Sequence, residues 1–192
     1  MSNLSELLLK QNTVFSYSDL AVIWKVQNKS TLARRVDYLI KTKKIIRLKK
    51  RLFYIEGREY NKYELANKLR PISYVGFETV LVRSGFIYQV YDSIFSASNL
   101  TRTYIVDNKK YIYKRLKEDI LLDSTGISKI DNLYYMANPC RALLDTVYLN
   151  KDYPIDNLNL NSFNFKEAYE MVSIYENETL SKELVKLEKL FT

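Results

Sequence analysis

The chain has 192 residues and no histidine, and its 30 Lys+Arg outnumber its 22 Asp+Glu, for a net charge of +8. Without histidine it cannot form a Ser-His-Asp or Cys-His catalytic pair or a zinc site with imidazole ligands. Its four glycines are too far apart to build a phosphate-binding loop. The composition therefore predicts no catalytic site of a familiar kind, no cofactor and no bound metal.

The sequence also argues against contact with a membrane. No apolar run approaches the roughly 20 residues needed to cross a bilayer, and the N-terminus lacks the pattern of a signal peptide. The single cysteine, Cys140, cannot close an intrachain disulfide, which is typical of proteins from a reducing compartment. We therefore expect a cytoplasmic protein.

Positive charge is concentrated at one end of the chain. Residues 1–58 carry 13 Lys+Arg and 4 Asp+Glu, whereas residues 59–192 carry 17 and 18. A basic segment beside a nearly neutral one indicates a nucleic-acid-binding domain joined to a domain with another function. A codon bias toward lysine, asparagine and tyrosine is the alternative, but it would distribute lysine evenly. We predict two domains, residues 1–58 and residues 59–192.

The basic segment begins with the pattern of three short helices. Leucines at positions 4, 7 and 8 indicate the first helix. The second begins near Ser16, which has capping-box spacing to Asp19. The third covers about residues 29–42 and has apolar residues at positions 32, 36, 39 and 40. Three short helices, the last two joined by a tight turn, indicate a helix-turn-helix.

The outward face of the third helix is polar and basic. It carries Ser30, Thr31, Arg34, Tyr38 and Lys41, with Arg35 on its flank. Arginine can donate two hydrogen bonds to guanine, and hydroxyl groups can reach bases or phosphates, so this face suits a major groove. Arg34 is the leading candidate for a base contact. The alternative is a solvated helix face without a ligand.

A basic hairpin is predicted directly after this helix. Two apolar, β-prone runs at residues 45–48 and 52–55 flank the tip Lys49-Lys50-Arg51, and residues 41–55 contain no acidic side chain. A hairpin appended to a helix-turn-helix is the wing of a winged helix. We expect it to contact the DNA backbone or minor groove through cations. These cations are Lys43, Lys44, Arg47, Lys49, Lys50 and Arg51. The predicted partner is double-stranded promoter DNA.

The second segment mixes helical and strand patterns. Asn138 and Pro139 form a cap and first-turn pair that opens one helix. Helices are predicted at residues 62–69, 74–84, 139–149 and 178–191, with one more opened by Asn164 and Glu167, and strands at 94–97, 102–106, 110–114 and 133–136. The predicted fold class is α+β, a winged helix-turn-helix followed by a larger mixed α/β domain that ends in helices.

Two motifs of the second segment carry a resemblance to a known family. The first is Arg70-Pro71-Ile72-Ser73-Tyr74-Val75, which precedes a helix that ends at Ser84-Gly85-Phe86. The second is Asn138-Pro139-Cys140-Arg141-Ala142-Leu143-Leu144-Asp145. Together with an N-terminal winged helix, their order and spacing resemble the AbiE-type antitoxins of bacterial abortive-infection systems. The resemblance weakens after about residue 150, and Cys140 stands where relatives commonly carry an acidic residue.

The resemblance implies an antitoxin of a type IV toxin–antitoxin system with a role in phage defence. In such a protein the winged helix represses its own operon. The C-terminal domain counteracts a nucleotidyltransferase-like toxin, typically without a stable complex. The residues themselves show none of this antitoxic activity.

Arg141 and Asp145 lie four residues apart on one predicted helix and have two interpretations. They are either a structural i,i+4 pair or part of a functional site, and we favour the structural pair because exposed pairs of this kind are common. Tyr74 is likewise assigned to the core rather than to a functional site.

Three other functions stay open at this point. The second domain is alternatively a kinase-like or nucleotidyltransferase-like enzyme that modifies the toxin, because lysine or carboxylate chemistry needs no histidine. The chain is alternatively a transcriptional regulator without an antitoxin role. The third alternative is an RNA-binding or scaffolding module.

Overall fold

The computed structural model describes residues 3–89, 91–154 and 158–191, and the chain divides into two compact units, Met1–Pro71 and Ile72–Thr192. Both units combine helices with strands, so the predicted α+β class is confirmed at that level. Among the described residues, no helix is both long and apolar enough to cross a membrane.

The first unit packs four helices with a small antiparallel sheet. Its elements are α1 (Asn3–Leu8), β1 (Phe15–Ser16), α2 (Tyr17–Ile23), α3 (Lys29–Lys41), β2 (Ile45–Lys49), β3 (Leu52–Ile55) and α4 (Lys62–Leu69). The strand order is β1-β3-β2. The three helices and the hairpin predicted from residues 1–58 are present. The short strand β1 was not predicted.

The start of α2 confirms the predicted capping box. The backbone N–H of Asp19 donates to Ser16 Oγ at 3.2 Å, and the backbone N–H of Ser16 donates to Asp19 Oδ2 at 2.7 Å. Lys68 of α4 adds an ion pair of 2.5 Å to the same carboxylate. Burial is the largest single influence on the pKa of Asp19, and it raises that pKa. The hydrogen bonds from Ser16 and the contact with Lys68 together outweigh burial, so the pKa lies below its usual value. The capping carboxylate therefore stays ionised near neutral pH.

Glu64 of α4 is fully buried and binds the segment that precedes β1. Its carboxylate accepts hydrogen bonds from Asn12 Nδ2 (3.0 Å), from the Thr13 backbone N–H (2.8 Å) and hydroxyl (2.7 Å), and from the Val14 N–H (3.2 Å). Four donors offset the cost of burying one carboxylate. Because α4 is held in this way, the first unit extends to Pro71 rather than ending at the predicted boundary, residue 58.

We predict that Glu64→Gln destabilises the first unit by about 2 kcal/mol, because an amide nitrogen would face donors that now bind a carboxylate oxygen. The measurement is urea unfolding followed by the fluorescence of Trp24, the single tryptophan, which is buried in this unit. The exposed Glu59→Gln is the control and should leave the transition unchanged. Equal midpoints for the two variants would contradict the role assigned to Glu64.

The second unit is built on a six-stranded mixed sheet. Its elements are β4 (Ser73–Val75), α5 (Phe77–Arg83), β5 (Ser93–Ser98), β6 (Arg102–Val106), β7 (Lys109–Arg115), α6 (Glu118–Leu122), β8 (Ile127–Ile130), β9 (Tyr134–Ala137), α7 (Pro139–Leu149), α8 (Phe165–Met171) and α9 (Glu178–Phe191). The strand order is β6-β7-β5-β4-β9-β8. The pairs β5–β7 and β4–β9 are parallel, and the other neighbours are antiparallel.

One predicted helix of this unit begins too early. The sequence predicted a helix over residues 74–84, but Ser73–Val75 form the strand β4, and the helix begins at Phe77 after Gly76. β4 lies between β5 and β9, and its three residues are buried. Pairing on both sides therefore overrides the local helical pattern. The prediction also missed α6 and β8.

The motif Asn138–Asp145 forms the first two turns of α7. The side chain of Asn138 accepts a hydrogen bond from the Arg141 backbone N–H at 2.8 Å, which confirms the predicted cap. Cys140 is buried, and its thiol donates to the Asn164 carbonyl at 3.4 Å. Burial and then the neighbouring Glu167 raise the pKa of this thiol to about 12. Cys140 is therefore a protonated core residue at neutral pH.

Arg141 and Asp145 form a buried pair, and the prediction that they are exposed is wrong. Both side chains are 0% exposed, and Arg141 Nε donates to Asp145 Oδ1 at 3.3 Å. The remaining guanidinium N–H groups donate to the backbone carbonyls of Thr125 (2.9 Å) and Ile120. These carbonyls belong to the segment between β7 and β8. The pair therefore joins α7 to that segment, in agreement with the structural interpretation of the pair.

Two tyrosines complete the shell around Asp145. Tyr74 and Tyr175 each donate a hydroxyl hydrogen bond of 2.7 Å to the carboxylate, one to each oxygen. Burial first, and then the charge of Asp145, raise the pKa of both hydroxyls, so they remain donors. Tyr74 is 3% exposed, which confirms its assignment to the core.

We predict that Arg141→Leu destabilises the second unit by at least about 3 kcal/mol, because it leaves the Asp145 carboxylate buried without a cation. Tyr175→Phe removes one hydrogen bond to that carboxylate and should cost about 2 kcal/mol. Urea unfolding followed by circular dichroism provides both values. Tyr135→Phe, at a half-exposed ring, is the matched control. A loss for Arg141→Leu no larger than that of the control would contradict this account.

Candidate nucleic-acid interface

The helix α3 turns its apolar stripe inward and its basic face outward. Its cap Asn28 accepts hydrogen bonds from the backbone N–H groups of Ser30 (2.9 Å) and Thr31 (3.1 Å), which fixes the start of the helix. The stripe Leu32, Val36 and Leu39 is buried. The opposite side is therefore presented to solvent, as the sequence predicted.

The structure places the predicted contact residues as follows. Exposed side chains are Ser30, Arg34, Tyr38, Lys41, Lys43, Lys44, Arg47, Lys50 and Arg51, and half-buried ones are Thr31, Arg35 and Lys49. None of them is buried, so all are accessible to a ligand. They occupy two elements, the outward face of α3 and the β2–β3 hairpin.

The hairpin brings its cations toward the start of α3. Arg47 lies opposite Phe53, and a register shift between Arg47 and Lys49 bends β2 just before the turn. Arg51 has φ +70°, in the left-handed region that favours glycine. The bulge and this conformation turn the tip tightly and leave Lys50 and Arg51 exposed.

A depression of about 330 Å³ lies between α3 and the hairpin. It is lined by Tyr17, Lys29, Leu32, Arg47, Lys50 and Arg51. Lys29 and Tyr17 were not among the predicted contacts. Lys29 lies about 60° from Leu32 on a helical wheel, on the flank of the apolar stripe, so the outward-face criterion missed it. Its role depends on the hairpin that packs beside it.

Two aromatic rings hold the arginines of this depression in place. The guanidinium of Arg47 lies 5.6 Å from the ring centre of Phe53, and that of Arg51 lies 5.4 Å from the ring centre of Tyr17. The two rings are themselves in contact, with centres 5.4 Å apart. Each stack is worth about 1 kcal/mol at a partly exposed site. Each contact therefore favours the position of its arginine beside the ring before any ligand arrives.

The depression has the chemistry of a phosphate site. Four cations line it, and within the described part of the chain none of them forms an ion pair with a carboxylate. Binding a phosphate therefore breaks no existing ion pair. The ring of Tyr17 and the side chain of Leu32 line the same depression.

One anion also lies on the outward side of α3. Asp37 is exposed and comes three residues after Arg34, so the two side chains are neighbours on the helix surface. A carboxylate repels phosphate but accepts a hydrogen bond from the amino group of cytosine. The middle of α3 is therefore better suited to base edges, and the depression is better suited to phosphates.

Among the described residues, His, Cys, Asp and Glu side chains form no group that could hold a metal ion.

The comparisons with known proteins give no family assignment. No protein-family model matches the chain, and no curated protein matches it significantly.

Proposed function

We propose that the first unit is a winged helix-turn-helix that binds double-stranded promoter DNA. The observation that carries the proposal is the depression beside α3, with its four cations and the two aromatic stacks that order its arginines. In this arrangement α3 enters the major groove, and the β2–β3 hairpin is the wing.

The two parts of this surface have different tasks. Arg34, Ser30 and Tyr38 on the outward face of α3 contact base edges and select the sequence. Lys29, Lys50 and the two stacked arginines hold the phosphate backbone, and they supply affinity for any duplex through release of counterions. Sequence choice and backbone affinity therefore depend on separate residues, which makes them separable by mutation.

By analogy with the AbiE-type antitoxins that its motifs resemble, the promoter is that of the chain's own operon, and binding represses it. In the same proposal the second unit counteracts a nucleotidyltransferase-like toxin without forming a stable complex, and it carries no catalytic centre. Support for the antitoxin part is the motif resemblance alone. The motif residues Arg141 and Asp145 support the fold of the second unit, so toxin neutralisation is assigned to no particular side chain.

Co-expression is the test of the antitoxin role. A strain that expresses the toxin gene adjacent to this chain's gene should stop growing, and the full chain should restore growth. Failure to restore growth, with the chain folded and expressed, would reduce the proposal to a transcriptional regulator. Transfer of label from ATP to the toxin by the purified chain would instead support an enzyme.

For the DNA contact, we predict that Arg34→Ala weakens operator binding by about 1–3 kcal/mol and relaxes sequence choice. Lys50→Ala should weaken binding to every duplex and lower the slope of log affinity against log salt concentration by about 0.9, because one phosphate contact is lost. Fluorescence anisotropy with operator and random duplexes measures both effects. Equal small losses for both variants on both duplexes would contradict these roles.

For the aromatic stacks, we predict that Tyr17→Leu weakens DNA binding about fivefold, since loss of a cation–π contact of about 1 kcal/mol leaves Arg51 charged but unordered. Tyr17→Phe keeps the ring and should restore affinity. Trp24 fluorescence during unfolding controls for loss of stability. Full affinity in Tyr17→Leu, or no recovery in Tyr17→Phe, would show that the ring does not position Arg51.

A further inference from the structure

A single acidic residue stands within the basic part of the first unit. Residues 20–55 carry 11 Lys+Arg, and Asp37 is the one acidic residue among them. It belongs to α3, and its side chain is exposed. A carboxylate at this place lowers the attraction of the surface for phosphates. Its presence therefore needs a reason other than affinity for a polyanion.

The stability of α3 does not supply that reason. Aspartate is a poor helix former inside a helix. Asp37 is the ninth residue of α3, beyond the first turn in which an acidic side chain interacts favourably with the helix dipole. Lys41 lies four residues further on, but within the described part of the chain the Asp37 carboxylate forms no ion pair. An exposed pair with Lys41 would in any case stabilise the helix only slightly.

Asp37 belongs to the row of side chains that points away from the core of the first unit. Ser30, Arg34, Asp37 and Lys41 are spaced four, three and four residues apart, so they follow one line along α3. All four are exposed, and the buried stripe of α3 lies on the other side of the helix. If α3 enters a major groove, this row faces the base edges.

Arg34 and Asp37 are close enough to read the same base pair or two neighbouring ones. Three residues of an α-helix advance by about 4.5 Å, and successive base pairs lie about 3.4 Å apart. Arg34 can donate two hydrogen bonds to O6 and N7 of guanine. A carboxylate beside it has the opposite hydrogen-bonding character, so it can read a base that Arg34 cannot.

Cytosine is the base that suits this carboxylate. An ionised aspartate accepts hydrogen bonds and donates none. In the major groove guanine and thymine present acceptors, and adenine presents the acceptor N7 beside its amino group. Cytosine presents its N4 amino group alone, and Arg34 can occupy the acceptors of the paired guanine. Each base other than cytosine therefore places at least one acceptor against Asp37.

We propose that Asp37 selects a cytosine in the operator, either in the G·C pair whose guanine binds Arg34 or in the next pair. The inference rests on the proposed function of α3, and it adds the identity of a base to it. Because the carboxylate also repels the phosphates of every duplex, Asp37 lowers affinity for random DNA while it favours the operator.

The test is the selection of duplexes from a random library by the full chain and by Asp37→Asn. Asparagine binds N6 and N7 of adenine, so one position of the selected sequence should change from cytosine to adenine. In the wild type, replacing that cytosine by adenine should weaken binding about tenfold in fluorescence anisotropy. Asp37→Asn should bind a random duplex about twice as tightly, because a negative charge is removed. Asp37→Ala should lose the preference at this position.

Glu56→Gln makes the same change in charge at an exposed position outside α3 and is the matched control, which should select the wild-type sequence. Trp24 fluorescence during unfolding checks that the variants are folded. An unchanged cytosine in the sequences selected by Asp37→Asn and Asp37→Ala overturns the role of Asp37, while loss of the guanine in Arg34→Ala still supports the proposed function. If the wild type selects no sequence, the proposed base readout fails and the role of Asp37 fails with it.

Discussion

The geometry of the first unit depends on a single buried carboxylate. Glu64 of α4 binds the backbone of Thr13 and Val14, and the next residue, Phe15, begins β1. β1 pairs with β3, so the same contact fixes the sheet from which the basic hairpin projects. Tyr17 follows β1 directly and forms one wall of the cationic depression. The hydrogen bonds of Glu64 thus fix the strand and the ring beside which the surface cations lie.

The two units use buried carboxylates in the same physical way. Glu64 and Asp145 are both fully buried, and each is surrounded by donors from segments distant in sequence. A carboxylate that accepts several hydrogen bonds fixes the directions of all its donors at once, which apolar contacts do not. Asp145 has Arg141 as a buried counter-ion, whereas Glu64 relies on neutral donors. Removing Arg141 is therefore costlier than removing one neutral donor to Glu64, because it leaves the Asp145 carboxylate buried without its counter-ion.

Features that depend on neighbours in sequence could be predicted, and features that depend on distant partners could not. The caps at Ser16 and Asn138 are satisfied within three residues, so their spacing in the sequence was sufficient. Tyr74 was assigned to a helix because its strand exists only through pairing with β5 and β9. Lys29 joins the depression only once the hairpin packs beside α3. Nothing in the local pattern of α4 distinguishes Glu64, a buried acid, from an exposed one. The fold class and most of the basic surface followed from the sequence, whereas the depression itself required the structure.

The conformation of Arg51 sets stability against the proposed DNA contact at the hairpin tip. A non-glycine residue in the left-handed region costs roughly 1 kcal/mol, and glycine at this position would remove that cost while also removing the side chain stacked on Tyr17. Selection for a more heat-resistant protein would favour glycine there, and selection for tight attachment to a polyanion would retain arginine. The turn therefore carries about 1 kcal/mol of backbone strain together with a guanidinium that glycine cannot supply.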